Sequence, residues 1–303
     1  MKRLLNIDGG GVRVYFSLLI LQYIEKKTGK QIIDLFDFYS GVSASSIVLG
    51  CLLTGHTVNG LIEMFESISK KMFYRTWWDF FTSLNGLLYS KYSDYYIEYE
   101  FKKIFQEKRL CQVKKPLCIL SYDLISHNPV TFESWSSTNS NIKLWKAIRG
   151  STAAPTYFPP LVYDNYMLID GGVISNNLSD ITYHNAKKLF GPGEKFFQLS
   201  IGTGRYLPKI TYVPSGLWGW LGLFGVLFSA SANYRMGKLL DKPKIPSQSG
   251  FFRLDIPLSQ DIVLDNYNEF PNMKLIFANW LVHNKCKLDE LCNELLIEDD
   301  YNV

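Results

Sequence analysis

The chain lacks several features that mark specialised classes of protein. Its 303 residues carry 32 Lys and Arg against 28 Asp and Glu, a net charge of +4. That excess is too small to predict nucleic-acid binding. The sequence has no internal repeats and no Pro/Ser-rich linker, and 47% of its residues are hydrophobic. Disordered and collagen-like chains are therefore excluded, and an ordinary globular protein is expected.

Cysteine and histidine are scarce and scattered. The five cysteines are an odd number and none forms a C-x-x-C pair, which argues against a disulfide framework. The four histidines show no metal-ligand spacing, so we expect no zinc site. The N-terminus reaches a glycine-rich turn at Asp8 before the apolar region of a signal peptide can form. These observations predict a cytoplasmic protein without a signal peptide.

One stretch without charged residues, 216–232, is long enough to suggest contact with a membrane. Its 17 residues lie at the lower limit for a transmembrane helix, and four of them are glycines. Three interpretations remain open: a buried helix or loop, a lipid-facing segment near a site, and a membrane span.

Predicted strands alternate with predicted helices along the whole chain. Hydrophobic patterns predict strands at 4–7, 35–40, 117–124, 130–135, 166–169, 196–201 and 251–256. Helical spacing is found at 16–27, 47–52, 61–105, 144–154, 181–189 and 274–295. This alternation predicts an α/β fold with a mostly parallel sheet and helices on both faces. We expect one domain over 1–303, with its C-terminal part, 205–303, largely helical.

The turn Gly41-Val42-Ser43-Ala44-Ser45 follows the second predicted strand. It matches the nucleophile elbow G-x-S-x-G except at the last position. At the start of a helix, free N–H groups and positive potential favour an alkoxide at Ser43. The alternative is that Ser43 only caps the helix.

The turn Asp8-Gly9-Gly10-Gly11-Val12-Arg13 follows the first predicted strand. Consecutive glycine N–H groups could hold a phosphate or a tetrahedral oxyanion. The turn matches neither the Walker loop nor the dinucleotide fingerprint. Arg13 adds a positive charge there or pairs with a surface carboxylate, and a simple tight turn is the alternative.

A third turn, Asp170-Gly171-Gly172, offers a carboxylate that could act as general base on Ser43. A plain D-G-G turn is the alternative. His283 could complete a triad in the chain order of α/β-hydrolases. We favour a Ser43–Asp170 dyad, since only two predicted strands precede Ser43 and His283 lies in an amphipathic helix.

Together these residues resemble the patatin-like phospholipase family, whose landmarks are D-G-G-G-x-R, G-x-S-x-G and D-G-[GA]. The segments 151–160 (STAAPTYFPP) and 199–204 (LSIGTG) are similar to further parts of the family pattern. The resemblance is firm over 3–204 and loose beyond it. Two residues depart from the pattern: Ser45 stands where the elbow has glycine, and Val14 stands where a small residue is usual.

The resemblance implies a three-layer α/β/α sandwich with a catalytic dyad and no histidine. Ser43 would be the nucleophile and Asp170 the general base. The N–H groups of Gly9, Gly10 and Gly11 would form the oxyanion hole, supported by Arg13. No metal and no cofactor are implied.

The expected activity is hydrolysis of fatty-acyl esters in phospholipids or other acyl lipids, of the phospholipase A type. The aromatic run 73–81 and the segment 216–228 are candidates for an acyl channel or a bilayer contact, with Lys70, Lys71 and Arg75 meeting phosphate head groups. We therefore expect transient contact with a membrane surface and no nucleic-acid partner. The sequence does not identify an activating partner. The rival functions are an inactive lipid-binding or scaffold protein and a phosphate- or nucleotide-binding module.

Overall fold

The computed structural model describes residues 1–73, 89–206 and 250–297. Its strands are β1 (Lys2–Ile7), β2 (Phe38–Val42), β3 (Leu117–Asp123), β4 (Asn128–Glu133), β5 (Leu161–Tyr163), β6 (Tyr166–Asp170), β7 (Phe196–Ile201) and β8 (Gly250–Leu254). Its helices are α1 (Val14–Thr28), α2 (Ile32–Leu35), α3 (Ala44–Thr54), α4 (Val58–Met72), α5 (Asp94–Phe105), α6 (Leu144–Ser151), α7 (Ser179–Phe190) and α8 (Phe270–Leu296).

The described strands form one sheet in the order β5-β6-β3-β2-β1-β7-β8, with β4 paired to β3. The pairs from β3 through β2, β1 and β7 to β8 are all parallel. The pairs that join β4, β5 and β6 to the sheet are antiparallel. Since parallel strands end at one edge, the loops after β1, β2 and β7 gather there.

Both faces of the sheet are covered, as the alternating side chains of β1 show. Leu5 and Ile7 belong to the large core beneath α1, α3 and α6, whereas Leu4 packs with residues of the opposite face and with Ala186 of α7. Successive strand residues point to opposite faces, so a strand buried on both sides lies between two helical layers. The chain is a three-layer α/β/α sandwich with a mostly parallel central sheet, as predicted.

The structure differs from the predicted strands at two places. The strand predicted at 35–40 is the short helix α2 followed by β2, so that Leu35 is helical. Ile32 and Leu35 are the buried residues of α2, and one turn is too short to show helical periodicity in the sequence. The three-residue strand β5 was not predicted at all. It pairs only with β6 and is too short to show a pattern.

Several predictions concern residues outside the described part of the chain. These are the aromatic run beyond Phe73, Arg75 and the uncharged stretch 216–232. Among the residues that the structure does describe, no helix combines the length and apolarity needed to cross a bilayer. The assignment of one domain to 1–303 stays a prediction.

Candidate active site

Strand β3 brings the second and third predicted turns together. Val42, the last residue of β2, pairs with Leu120 of β3. Asp170, the last residue of β6, pairs with Ser121, the next residue of β3. Two residues that are far apart in the chain are thereby fixed one strand position apart, with Ser43 following Val42 directly. This register explains how Ser43 and Asp170 become neighbours.

Ser43 occupies the sharp turn between β2 and α3. Its backbone has φ 58° and ψ −136°, outside the regions that most L-residues adopt. Its N–H is donated to Ser151 Oγ at 2.9 Å, and its carbonyl accepts a 2.6 Å hydrogen bond from the Ser46 hydroxyl. These bonds hold the strained residue from both sides in a sharp turn between strand and helix.

Ser45, where this sequence departs from the family pattern, helps to hold this turn in place. Its buried hydroxyl lies 2.8 Å from the carbonyl oxygens of both Ile7 and Val42. It also accepts the N–H of Val42 at 2.9 Å. The sharp turn therefore forms with serine at this position, and the side chain links β1 to β2 behind Ser43.

Asp170 faces Ser43 from the end of β6. Its side chain accepts a 2.7 Å hydrogen bond from the N–H of Gly172. Burial raises the pKa of Asp170 to about 6, while the nearby Ser43 hydroxyl and the hydrogen bond from the Gly172 N–H act in the opposite direction. The carboxylate of Asp170 is therefore more basic than that of an ordinary aspartate, and it lies close to the Ser43 hydroxyl.

The glycine loop after β1 completes the site, with one difference from the expectation. The N–H of Gly9 is donated to the carbonyl of Asn176 at 3.0 Å, so this group is not free to bind an oxyanion. The N–H groups of Gly10 and Gly11 have no acceptor among the described residues. Gly11 has φ 56°, and a Cβ there would lie 2.2 Å from the Leu264 carbonyl oxygen, so only glycine fits.

Arg13 supports the loop through its main chain. Its N–H is donated to the Gly10 carbonyl at 3.0 Å. Its guanidinium lies 3.6 Å from the carboxylate of Asp261, whose side chain is 58% exposed. The guanidinium thus pairs with a surface carboxylate, which is one of the two roles that the sequence left open.

His283 is exposed on α8, a helix that packs against α1. The Asp170 side chain accepts a hydrogen bond from the Gly172 N–H and lies near the Ser43 hydroxyl. His283 takes no part in these contacts.

A buried polar network behind the glycine loop was missed by the sequence analysis. Arg253 of β8 binds both carboxylate oxygens of Asp8, at 2.9 and 2.6 Å, and also binds Asp255 at 3.0 Å. Burial alone would lower the pKa of Arg253, but Asp8 and Asp255 reverse this and raise it. Asn177 adds a 2.6 Å bond to Asp8. In the sequence, the two consecutive asparagines Asn176 and Asn177, shortly after Asp170-Gly171-Gly172, could have pointed to this network. Arg253 gave none, since it lies far from Asp8 in sequence.

An apolar cavity, partly open to solvent, lies beside Ser43. Its wall is almost entirely apolar and comes mainly from α3, α4 and α5, together with the segment after α6. The lining residues are Gly11, Val12, Ser43, Ala44, Ile47, Met64, Phe65, Ile68, Ser69, Met72, Phe73, Ile97, Phe101, Ile104, Thr152, Ala154, Tyr157, Phe158 and Leu264. A long apolar group bound there would lie against Ser43.

The model of the family described as patatin-like phospholipase matches residues 5–183. The chain belongs to this family. Calcium-independent phospholipase A2-gamma of Rattus norvegicus is 27% identical to it over an alignment of 319 positions. The alignment covers 97% of this chain and 40% of that protein. Patatin-like protein 4 of Arabidopsis thaliana is 28% identical over 254 residues, covering 71% of this chain and 63% of that protein.

Solved structures of similar fold include VipD from Legionella pneumophila, with a TM-score of 0.46 and 12% identity over 90% of this chain and 66% of that one. Human GIVD cytosolic phospholipase A2 gives a TM-score of 0.47 with 10% identity over 97% of this chain and 60% of that one. The chain spans less than two thirds of the length of the two curated relatives named above.

Proposed function

We propose that the chain is a lipid acyl hydrolase of the phospholipase A type, which cleaves fatty-acyl esters through a Ser43 acyl-enzyme. The observation that carries the proposal is the placement of Ser43 in the wall of an apolar cavity, close to a buried carboxylate of raised pKa. Membership of a phospholipase family supports the same class of substrate.

In the first half of the reaction, Ser43 Oγ attacks the acyl carbonyl carbon and Asp170 takes the hydroxyl proton. The carbonyl oxygen becomes an oxyanion, which the N–H groups of Gly10 and Gly11 bind; such a donor is worth about 3 kcal/mol in a transition state. The ester bond then breaks, and Asp170 returns the proton to the departing alcohol, a lysophospholipid.

In the second half, water attacks the acyl-enzyme and gives a proton to Asp170. The fatty acid leaves and Ser43 regains its proton from Asp170. A general base is most useful when its pKa lies near the working pH, and a pKa of about 6 leaves Asp170 ionised at neutral pH yet more basic than usual. The backbone donors carry the developing charge, so the proposed reaction needs no metal or cofactor.

Contact with the membrane belongs to the proposal, because the substrate lies in a bilayer. Helix α5 lines the cavity with Phe101 and presents Tyr95 and Tyr99 outward, with side chains 66% and 56% exposed. Tyrosine is enriched at membrane interfaces, where its ring is half-buried and its hydroxyl is hydrated. We assign the protein to the cytoplasm, bound peripherally to membranes.

The test incubates the protein with phospholipid vesicles and identifies the products by mass spectrometry. We expect a free fatty acid and a lysophospholipid, labelling of Ser43 by a fluorophosphonate probe, and loss of both with Ser43→Ala. Ser137→Ala, a change at an exposed serine, is the matched control and should behave like the wild type. An unlabelled protein that binds lipid without cleaving it would overturn the proposal in favour of an inactive lipid-binding protein. A thermal shift with nucleotide and no labelling would favour the phosphate-binding alternative.

A further inference from the structure

The carbonyl of Gly9 is held by two side chains from different parts of the fold. Asn176 Nδ2 donates to it at 3.0 Å, and Thr203 Oγ1 donates to it at 2.8 Å. On the other side of the same residue, the Gly9 N–H is donated to the Asn176 carbonyl. Gly9 therefore has no polar group left for a ligand, and its orientation is set by Asn176 and Thr203.

This arrangement determines the direction of the next N–H group. The peptide bond is planar and trans, so the Gly9 carbonyl and the Gly10 N–H point in opposite directions. Fixing the carbonyl toward Asn176 and Thr203 aims the Gly10 N–H away from them. Between two glycines this peptide would otherwise rotate easily, because neither residue has a Cβ to restrict it. The Gly10 N–H has no acceptor among the described residues, as a donor reserved for a ligand requires.

Asn176 also connects this donor to the base. It belongs to the same loop as Asp170, six positions further along the chain. Its Oδ1 lies 2.4 Å from where a Cβ of Gly9 would be and 3.2 Å from the corresponding position of Gly172. The two glycine turns thus close against one amide side chain. Gly9 itself borders the nucleophile, since the same Cβ position lies 3.1 Å from Ser43 Cβ.

Thr203 holds the loop from the opposite direction. It follows β7, and it is buried with an exposed fraction of 4%. A Cβ on Gly10 would lie 2.3 Å from its hydroxyl oxygen. The threonine therefore both bonds the Gly9 carbonyl and limits how far Gly10 can move.

We propose that Asn176 and Thr203 are positioning residues that orient the Gly10 N–H toward the transition-state oxyanion. The inference rests on the proposed function, because an oxyanion forms only if Ser43 attacks an ester. Neither side chain touches the substrate; each acts through the Gly9 carbonyl.

The experiment compares Thr203→Val, Thr203→Ser and Asn176→Ala with the wild type, using a soluble ester. Valine keeps the shape of threonine and removes the hydroxyl, whereas serine keeps the hydroxyl. We expect Thr203→Val and Asn176→Ala each to lower kcat about tenfold with KM unchanged, as for an interaction made only in the transition state. Thr203→Ser should stay within about threefold of the wild type, and Thr138→Val, at an exposed threonine, should not differ from it.

Inhibitor binding separates positioning from a general structural role. A long-chain trifluoromethyl ketone adds to Ser43 and forms an anionic tetrahedral adduct, whereas the matching alkyl amide binds without reacting. In Thr203→Val we expect the ketone to lose affinity by about the same factor as kcat, with amide affinity unchanged.

Equal losses of ketone and amide affinity would show a structural effect and overturn the inference, as would a Thr203→Ser variant as impaired as Thr203→Val. If Thr203→Val does not fold, Asn176→Ala is judged by the same ratio of affinities. A wild-type protein that neither cleaves the ester nor reacts with fluorophosphonate would refute the proposed function itself. Activity that survives unchanged in both variants would refute only the positioning role.

Discussion

The two ends of the candidate site are built by different means. Around Ser43, Asp170 and Gly9, position is set by short directional bonds between buried polar groups, most of them from residues distant in sequence. Along the rest of the cavity, the wall is a set of apolar side chains on three helices. A hydrogen bond fails when its geometry shifts slightly, whereas an apolar wall only has to exclude water and leave room. Substitutions at the polar end should therefore act on the rate, and those at the apolar end on the choice of substrate.

The largest effect at the polar end is expected from Asp170→Asn. Loss of the general base should lower kcat about 10³- to 10⁴-fold. The same change should stabilise the fold at pH 8, because burial raises the pKa of this carboxyl from 3.8 to about 6. The folded state binds the proton more tightly than the unfolded chain, so ionisation weakens folding as the pH rises through about 4 to 6.

Urea unfolding of the wild type and of Asp170→Asn at pH 8 and at pH 4 measures this effect. We expect the variant to be more stable by about 1 to 3 kcal/mol at pH 8, and the difference to shrink toward pH 4. An Asp170→Asn protein that is less stable than the wild type at pH 8 would show that this carboxylate contributes to stability in its ionised form.

Gly10→Ala should lower kcat about 10²- to 10³-fold, the loss expected when one oxyanion donor is displaced. The new Cβ would lie 2.3 Å from Thr203 Oγ1 and 2.7 Å from Thr203 Cβ, so the loop has to shift. Gly193→Ala is the matched control, since nothing lies within 4 Å of its Cβ position. Rates of ester cleavage and of fluorophosphonate labelling should fall together in Gly10→Ala alone.

At the apolar end, Met64→Trp should change the preference for chain length. Met64 lines the cavity from α4, and a larger side chain there takes space from a long acyl group. We expect long-chain esters to be cleaved at least about tenfold more slowly, while an acetyl ester reacts as before. Glu63→Trp, on the exposed side of the same helix, is the control. Equal loss on both esters would mean that the cavity does not hold the acyl chain.

The smallest effect is expected from Ser45→Gly, which restores the residue usual in the family pattern. The change removes the hydroxyl that bonds Val42 and Ile7, leaving a buried N–H without its acceptor. We expect a loss of about 1 to 3 kcal/mol in the free energy of unfolding and less than about a tenfold change in kcat. Unchanged stability in urea would show that the hydroxyl only fills space.

The sequence predicted those parts of the site that are marked by local patterns. Glycine runs after apolar segments located the turns at Asp8, Gly41 and Asp170, and alternation of strands with helices predicted the layered fold. The turns themselves suggested Ser43 as nucleophile and Asp170 as general base, and the resemblance to a known family implies the same roles, which stay predictions until the experiments above are done.

The remaining features depend on contacts between distant residues. Arg253 binds Asp8 only because β8 lies two strands from β1 in the sheet, and no local pattern shows that neighbourhood. Nothing in the sequence distinguishes the N–H of Gly9 from those of Gly10 and Gly11. Only the fold shows that the Asn176 carbonyl accepts it. Such pairings follow from sheet order, which periodicity along one chain does not determine.

Strand β3 has a consequence of its own, although none of its residues lines the cavity. It sets the separation of two residues, because Val42 pairs with its residue Leu120 and Asp170 pairs with the next residue, Ser121. One additional residue between these positions would move the partners apart by about 3.3 Å, the rise per residue of a strand. We therefore expect an insertion or deletion at the centre of β3 to change the separation of Ser43 and Asp170, and to turn the side chains that follow it toward the opposite face of the sheet.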